Sequence, residues 1–570
     1  MTKSRNMQLL CLAVILIIGG YNIRNLANLD MPCIELDEFG YWTSAALFAG
    51  KDWSNVTANL CSYYGYGLGL IYSLFIRVCP NINIAYQVSI LFNSVLVSCS
   101  VLLIVDICRY IYKEIDYSCI LAAGIALFYP GILNNTQFSW SEIILFFLFL
   151  VDLVFMIKVV VENKCIYSVL LAVSSVYTYM IHQRSLGVII AVIVCMLFGV
   201  WCKKITKKQL IFFVFTLILM FLIHCTIKDY VYDYNWSNTY NSFEKGNEIS
   251  DEEKQLANDY GSQINNILFC FSLNGIKCFL IGFFGKVYYM GIASFFLVFE
   301  GVRFLFSRIK KDYSNYIPEV FMLLTLFFTL GIATIFQIYP SRIDTVLYGR
   351  YTDWIIIIFI TLGIVQLLRN GIGGQLLAGY LLCAIVYIVL FHQITDSFNL
   401  SSYFPTCAPA ANYYRILCKG KLGNHWIELM HIIHCSIIII VYMGVTILKK
   451  KKIQGICVLM LFLVFWISEA DSTIENTIYI GYKEEIKEIS AEIKSYAEEK
   501  IYYLVDDTSR YNMYIGSIQF LLSENSIECV SIENIEQISE GVLIYPTDIS
   551  IKFEGAEEYE HFAFIVRRDV

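Results

Sequence analysis

The stretch ELDEFGYW occupies residues 35–42 and follows the first hydrophobic segment of the chain. It carries two adjacent carboxylates, Asp37 and Glu38, and many further hydrophobic segments come after it. Carboxylates beside a membrane are costly to dehydrate, so they stay hydrated, pair with a cation or take part in chemistry. The position of this acidic pair relative to the bilayer therefore bears on both topology and function.

The composition is that of an integral membrane protein. Of 570 residues, 58% are hydrophobic and only 16% are charged, whereas soluble domains carry about 25% charged residues. The 41 tyrosines and 40 phenylalanines suit interfacial belts and lipid-facing helices. The net charge of −7 gives no reason to expect nucleic acid as a partner, so the lipid bilayer is the partner that the composition indicates.

Apolar runs long enough to cross a bilayer predict a polytopic α-helical membrane protein with about thirteen transmembrane helices. Short loops rich in Lys and Arg alternate with longer loops that are poorer in both. Because short basic loops stay in the cytoplasm, we expect a multi-pass protein of the cell membrane with a cytoplasmic N-terminus and an exterior C-terminus. The predicted spans are 7–21, 84–108, 117–133, 140–161, 165–181, 185–202, 209–227, 275–303, 317–339, 352–368, 372–391, 428–448 and 453–470.

The chain divides into two predicted units. Residues 1–470 form a transmembrane module, whose first exterior loop, 22–83, holds the acidic pair and two amphipathic stretches, 39–53 and 66–78. Residues 475–570 are charged and acidic, and predicted strands alternate there with helices. This alternation predicts a small soluble α/β domain, which the topology places outside the membrane.

Further polar residues lie at predicted helix ends on the same exterior side. The first loop contains a Gly/Tyr-rich segment with Tyr63 and Tyr64, which can bend sharply and stack on a ring. The others are Glu142 at the mouth of a span, His182 and Arg184 between two apolar runs, and Arg350 and Tyr351 in a late outer loop.

The charges of these residues are complementary. Arg184 and Arg350 offer planar, permanently protonated donors of the kind that grip phosphate. Asp37 offers a base that could take a proton from an acceptor hydroxyl. Together they suit attack on a lipid-linked phosphosugar, in which the arginines stabilise the departing lipid phosphate.

Each residue also has a plain structural explanation. Asp37 and Glu38 could cap a helix that begins at residue 39, and Glu142 could be an acid favoured at a helix N-terminus. Arg184 could extend its charged end from a helix to the membrane surface, and His182 could be an interfacial histidine. The occurrence of all these residues on one face favours the functional reading.

In order and spacing, these motifs resemble the GT-C glycosyltransferases, the polytopic enzymes that use polyprenyl-phosphate sugars. The nearest types are the protein O-mannosyltransferases and the aminoarabinose transferases. The similarity covers residues 1–370: an acidic motif in a large first loop, a Tyr/Gly-rich turn at residues 63–69, a segment ending in Ser141-Glu142, then Arg184 and Gly349-Arg350-Tyr351.

The resemblance implies an inverting transfer of a sugar from a polyprenyl-phosphate donor to an exterior glycan, lipid or protein acceptor. Asp37 takes the catalytic acid position of the family, and Glu38 would assist it. No cofactor is certain: some family members bind a divalent metal, but the chain shows no metal-ligand spacing, so a metal stays open. Arg184, Arg350 and Tyr351 are then expected to bind the donor phosphate, and Tyr63, Tyr64, Glu142 and His182 to bind substrate.

Two other classes of function remain open. A transporter or flippase of lipid-linked saccharides would need charges in mid-membrane and a repeated pair of broken helices, and the sequence shows no convincing inverted repeat. A non-catalytic component of polysaccharide assembly would use the C-terminal α/β domain to bind a partner. Loss of sugar transfer in an Asp37→Asn variant would separate the enzyme from both.

Overall fold

A computed structural model gives the architecture of the chain. It describes residues 2–236, 260–311, 313–339, 343–371, 451–478, 482–496, 498–506 and 509–568, with a few isolated positions between 406 and 445. Helices dominate the first 371 residues. They are α1 (Thr2–Asn22), α2 (Glu35–Ala49), α3 (Ser54–Leu60), α4 (Gly67–Val78), α5 (Ile82–Tyr112), α6 (Tyr117–Ala126), α7 (Pro130–Thr136), α8 (Glu142–Glu162), α9 (Cys165–Ile181), α10 (Leu186–Trp201), α11 (Lys207–Trp236), α12 (Tyr260–Phe269), α13 (Leu273–Ala293), α14 (Leu297–Ile309), α15 (Ile317–Phe336), α16 (Ile343–Val346) and α17 (Arg350–Asn370).

The helical part is that of a multi-pass membrane protein. Within the ranges given above, nine helices are long and apolar enough to cross a bilayer, or ten if one bent pair counts as a single span. The predicted spans 372–391 and 428–448 lie outside the described residues. The predicted fold class, a polytopic α-helical membrane protein with a small C-terminal sheet domain, is confirmed.

One predicted span, 117–133, is not a continuous helix. The chain forms α6 and then α7, which are bent by 60° relative to each other. The break falls at Tyr129, whose ψ of 134° is extended, immediately before Pro130 at the start of α7. Because the proline ring disfavours helical backbone in the residue before it, this predicted span is bent.

A second predicted span, 275–303, is also divided. Helix α13 ends at Ala293 and α14 begins at Leu297, with Phe295 and Phe296 in the left-handed region at φ 50° and 64°. This conformation is costly for a bulky side chain. It is offset by packing, since the ring of Phe295 stacks on Phe462 with centroids 4.0 Å apart.

The first loop folds into α2, α3 and α4 and packs into the protein. Helix α2 begins at Glu35 rather than at residue 39, so Asp37 and Glu38 lie inside its first turns. Its middle is fully buried, with Phe39 and Trp42 at 0% exposure. Helices α2 and α4 are in contact at Gly69 and Ser44. A side chain at Gly69 would clash there, because its Cβ would lie 2.7 Å from the Cβ of Ser44.

The C-terminal residues form a five-stranded sheet in the order β2-β1-β3-β5-β4. Strand β1 is parallel to β2 and to β3, whereas β5 runs antiparallel to both β3 and β4. Three more helices complete this part of the chain. The bounds are α18 (Lys451–Ile478), α19 (Lys483–Ile493), β1 (Ile501–Val505), α20 (Ile515–Leu521), β2 (Ile527–Ser531), β3 (Gly541–Pro546), β4 (Glu557–Glu558) and β5 (Phe562–Arg567).

Candidate functional site

Four charged residues from distant parts of the sequence form one network. Arg350 bonds Asp37 through Nη1 and Glu142 through Nε, with 2.5 Å between Nε and Oε1 of Glu142. Arg184 bonds the same Glu142 oxygen through Nη2. Glu142 is fully buried and Arg184 is 2% exposed, whereas the side chain of Asp37 is 30% exposed. Asp37 is thus the member of the network that solvent or a substrate can reach.

Helix ends hold these charges in place. Glu142 lies in the first turn of α8 and Arg350 begins α17. A carboxylate in the first turn of a helix is stabilised by the free N–H groups there. Arg184 lies in a short 3₁₀ turn, Gln183–Ser185, between α9 and α10, and this turn directs its side chain toward Glu142.

Aromatic rings fix the planes of both guanidinium groups. The Cζ of Arg350 lies 3.9 Å from the ring centroid of Trp140, and that of Arg184 lies 4.4 Å from the ring centroid of Tyr351. A guanidinium over a ring face is attracted by the ring quadrupole. Tyr351, predicted to contact the donor phosphate, thus lies at the site beneath one of the arginines.

Arg184 has buried donors that are not used. Its Nη2 also donates to Ser141 Oγ at 3.1 Å, but its Nε and Nη1 are buried and have no hydrogen-bond partner among the residues that the structure describes. A buried unsatisfied donor costs about 1–3 kcal/mol, more when it is charged. Such a cost is offset when an anionic ligand accepts these hydrogen bonds.

Tyr64 contacts Asp37 from the first loop. Burial, together with the neighbouring Asp37 carboxylate, raises the pKa of Tyr64 far above its ordinary value, so the phenol stays protonated and donates to Asp37. The next residue, Gly65, has φ +146° and passes directly over the carbonyl of Ile181. A Cβ there would lie 2.5 Å from that oxygen, so only glycine brings the loop this close to α9.

Asp37 stays ionised in this setting. Burial alone would raise its pKa, but the charge of Arg350 and the hydrogen bonds from Arg350 and Tyr64 outweigh that effect and hold the pKa below its usual value. A group whose pKa is depressed keeps its charge until the pH falls through the lowered pKa. Asp37 is therefore a carboxylate at neutral pH, which is the form that can accept a proton.

Glu38 points away from Asp37 into a closed set of donors. Its Oε1 accepts from Tyr86 Oη at 2.6 Å and from the backbone N–H of Ser139 at 2.6 Å. Its Oε2 accepts from the backbone N–H groups of Cys33 and Ile34 at 2.7 and 2.9 Å. Burial raises the pKa of Glu38, and these hydrogen bonds oppose that rise. The contacts favour a role in holding α2 against the segment before α8.

His182 lies beside the network as a neutral ring. Burial, and then the charges of Arg184 and Arg350, lower the pKa of His182 well below its ordinary value. Its Nδ1 accepts from the backbone N–H of Arg184 at 3.2 Å, which leaves the proton on Nε2. The ring lies 6.0 Å from that of Tyr64, measured between centroids, so two of the four residues predicted to bind substrate lie side by side here.

Tyr63 is the predicted site residue that the structure places elsewhere. Its ring packs edge-on against Trp236 and Tyr232 of α11, with centroids 5.6 and 6.2 Å away. In extended backbone, successive side chains point to opposite sides, so Tyr64 faces Asp37 and Tyr63 faces α11. A direct contact of Tyr63 with substrate stays an untested prediction.

Several residues at the site were not among the predicted site residues. Trp140 and Ser141 contact the arginines, and Tyr41 donates to Ser141 Oγ at 2.8 Å. Their position next to Glu142 and Asp37 in the sequence was the available signal. Asp353, one turn into α17, accepts from Tyr129 Oη at 2.8 Å and from Tyr289 Oη at 3.3 Å.

Lys286 in α13 is a further buried cation near the network. It is 0% exposed, and its Nζ donates to the carbonyl of Thr345 at 2.9 Å. Tyr289, one turn further along α13, lies against Gly349, where a Cβ would come within 2.0 Å of the tyrosine ring. Lys286 thus lies beside the segment that leads into Arg350, and no carboxylate whose side chain is described pairs with it.

The donor set does not favour a metal held by the protein. Asp37 and Glu142 are both paired with Arg350. In the described parts of the chain, no group of three or more His, Cys, Asp or Glu side chains is arranged to hold a metal ion.

The architecture is similar to that of two solved structures of one protein. ArnT from Cupriavidus metallidurans bound to undecaprenyl phosphate aligns with a TM-score of 0.53 over 98% of this chain and 97% of its own, at 12% identity. Its apo state aligns with a TM-score of 0.51 over 98% of both chains, also at 12% identity. This chain has the ArnT fold. The fold predicted from the resemblance is thereby confirmed.

Sequence comparisons do not extend this result. No family model matches the chain, and no curated protein matches it. At 12% identity the ArnT fold leaves the donor, the acceptor and the roles of individual residues to be argued from the site itself.

Proposed function

We propose that this protein is a membrane glycosyltransferase that moves a sugar, with inversion, from a polyprenyl-phosphate donor to an exterior acceptor. The observation that carries the proposal is the pair of unused donors on buried Arg184, Nε and Nη1, in the same network as the ionised and partly exposed Asp37. The site thus has hydrogen-bond donors for an anion, on Arg184, and a carboxylate that can act as a base, on Asp37. The ArnT structure with undecaprenyl phosphate supports a lipid phosphate as the anion.

The reaction is a single displacement at the anomeric carbon. The acceptor hydroxyl approaches from the Asp37 side and attacks that carbon while Asp37 takes its proton. The bond from the anomeric carbon to the phosphate oxygen breaks, and its electron pair leaves with the polyprenyl phosphate. Attack opposite the leaving group inverts the configuration. Arg184, together with Arg350, stabilises the charge that develops on the phosphate.

The other predicted residues take supporting roles in this proposal. Tyr64 orients Asp37 by donating to it, and neutral His182 offers its Nε2 proton to a sugar or acceptor oxygen. Glu142 holds both arginines, and Tyr351 lies under Arg184. We also propose that the network faces the exterior, that residues 1–470 form the catalytic module, and that residues 475–570 form the exterior domain.

The network has no net positive charge to balance the negative charge of a bound phosphate. Two arginines are balanced by two carboxylates, Asp37 and Glu142, so an incoming lipid phosphate adds uncompensated negative charge. A buried ammonium needs an anionic or polar partner, and Lys286 has one described acceptor, a backbone carbonyl. We propose that Lys286 contacts the lipid phosphate from the α13 side.

Replacing Lys286 with Met, which keeps much of the side-chain volume, is expected to weaken binding of undecaprenyl phosphate by about 10-fold or more. The reason is that a charged hydrogen bond contributes about 1.5–3 kcal/mol. The measurement is the affinity of the purified protein for undecaprenyl phosphate in detergent. Lys483→Met is the matched control, because Lys483 also donates to a backbone carbonyl, that of Asn28. Equal affinity in wild type and Lys286→Met would refute the phosphate contact.

The proposed function is tested by incubating the purified full-length protein with a panel of radiolabelled polyprenyl-phosphate sugars and candidate acceptors. The expected result is acceptor-dependent release of polyprenyl phosphate and a product whose anomeric configuration is opposite to that of the donor. Movement of intact lipid-linked sugar across a vesicle membrane, without cleavage, would instead support a transporter or flippase. Binding of a polymer-assembly protein without either activity would support a scaffold.

A further inference from the structure

The C-terminal sheet unit touches the helix that carries Asp37. Helix α20 lies against the face of α2 opposite the charged network, and its Phe520 is fully buried there. The ring of Phe520 meets Trp42 edge-on with centroids 5.2 Å apart. It also lies 6.1 Å from Trp53 and 6.0 Å from Tyr86. One phenylalanine of the C-terminal unit therefore packs among three aromatic rings of the first loop and the start of α5.

The rings around Phe520 lead directly to the site. Trp42 donates from Nε1 to Ser139 Oγ at 2.8 Å, and Tyr86 donates to Glu38 Oε1 at 2.6 Å. Ser139 also donates to Glu38 and lies just before the segment Trp140-Ser141-Glu142. A shift of Phe520 would thus move the contacts that join α2 to the segment holding Glu142.

A second set of contacts holds the sheet unit in this position. Trp53 Nε1 donates to the carbonyl of Ser523 at 3.2 Å, and the backbone N–H of Cys529 in β2 donates to Asn55 Oδ1 at 2.9 Å. Lys51 forms an ion pair with Glu524. Edge-on ring pairs and backbone hydrogen bonds are directional, so they set the orientation of α20 as well as its distance.

Gly516 shows how close this approach is. A Cβ at this position in α20 would lie 2.8 Å from Leu60 Cδ2 and 3.0 Å from Cγ of Phe39, which follows Glu38 in α2. Contacts this short require the neighbouring atoms to move. The two helices therefore meet at a distance that glycine permits and alanine does not without displacement.

We propose that the C-terminal sheet unit is a positioning element for the transfer reaction, and that Phe520 sets the place of α2 so that Asp37 meets Arg350. The exterior domain then contributes to the reaction by holding α2 of the catalytic module in place. This inference rests on the proposed function, because it assigns Asp37 and Arg350 the roles given there. Phe520 itself touches no reacting atom and acts through Trp42 and Tyr86.

The test compares Phe520→Ala with Phe553→Ala in the full-length protein. Phe553 packs on Tyr545 in the same sheet unit, with centroids 4.9 Å apart, in an apolar cluster separate from the one that holds Phe520. We expect Phe520→Ala to lower kcat by about 10–100-fold with little change in the KM for the donor. The acid limb of the pH–rate profile should also move to higher pH, because Asp37 loses contact with Arg350 and its pKa rises. Phe520→Leu is expected to restore most of the rate, and Phe553→Ala to keep both kcat and the pH profile.

Gly516→Ala is a second variant for the case that Phe520→Ala does not fold, because it adds one methyl group and leaves the Phe520 ring in place. It is expected to lower kcat in the same direction. Hydrogen exchange over residues 35–49 gives a readout that needs no sugar transfer, and it should rise in both variants. Normal kcat, pH profile and exchange in both variants would overturn the inference, as would equal losses in Phe553→Ala. Absence of transfer in the wild type, with exchange raised as expected, would overturn the proposed function, whereas the coupling of Phe520 to α2 would stand.

Discussion

An Asp37→Asn protein is expected to lose sugar transfer, with kcat/KM reduced by about 10²–10⁴-fold, the range typical of a general base. Asparagine keeps the size of the side chain and can still bond Tyr64, but it cannot accept the proton of the acceptor hydroxyl. The KM for the donor should change little, because the donor phosphate is bound by the arginines. The measurement is steady-state transfer from a polyprenyl-phosphate sugar in membranes and with the purified protein.

Asp471→Asn is a matched control for this change. Asp471 is also partly exposed and also bonds an arginine and a tyrosine, Arg24 and Tyr21, but it lies away from the network. We expect this variant to transfer sugar at the wild-type rate. If Asp37→Asn kept more than about a tenth of the wild-type rate, Asp37 would not be the general base.

The pH profile gives an independent reading of the same carboxylate. Arg350 holds the pKa of Asp37 below its usual value, so the wild-type rate should persist as the pH falls until that lowered pKa is reached. In Arg350→Gln, burial is no longer opposed by the guanidinium, and the pKa of Asp37 rises. The acid limb of kcat/KM should therefore move to higher pH, and an unmoved limb would contradict the pairing.

Replacing Arg184 with Met is expected to lower kcat/KM by about 10²–10³-fold, the loss seen when one donor to a developing charge is removed. The change removes Nε and Nη1, which are the donors left free for the lipid phosphate. Glu142 keeps its bond to Arg350, so no carboxylate is left unpaired in the core. Affinity for undecaprenyl phosphate, measured directly, should fall together with the rate.

Arg369→Met is the control for Arg184→Met. Arg369 lies at the other end of α17, and its guanidinium likewise pairs with a carboxylate, Asp116, and covers a tyrosine ring, that of Tyr112 at 4.2 Å. It should affect neither phosphate affinity nor rate. Arg184→Lys tests geometry, since an ammonium keeps the charge but not the planar fork, and we expect it to recover only part of the affinity. Unchanged phosphate affinity in Arg184→Met would remove the main support for the proposed function.

Hydrophobicity predicted most of the membrane fold, because a span needs only length and apolar side chains. Hydrophobicity did not predict the two helix breaks, where the local backbone conformation interrupts an apolar run. At residues 129–130 the proline was visible in the sequence, and its effect on the preceding residue could have been used. At Phe295 and Phe296 the left-handed backbone is maintained by packing on Phe462, and a contact across 167 residues leaves no local sign.

The charged part of the site was predictable because unpaired charge at a membrane is costly, so each charged residue was conspicuous. The structure brings Asp37, Glu142, Arg184 and Arg350 together as complementary charges. The aromatic part was not predictable in the same way, since one more tryptophan or tyrosine is unremarkable in a chain with 16% aromatic residues. Trp140 differs from other tryptophans only by its place beneath Arg350.

The bond between Arg350 and Asp37 joins residues 313 positions apart in the chain, which has a consequence for biogenesis. When the ribosome has made α2 and α8, the arginine that pairs with both Asp37 and Glu142 has not yet been synthesised. Until α17 enters the membrane, these carboxylates lack that partner, and Glu142 has only Arg184. The charged network is therefore completed late, and a chain that ends before residue 350 would have a membrane-inserted first half but no assembled network.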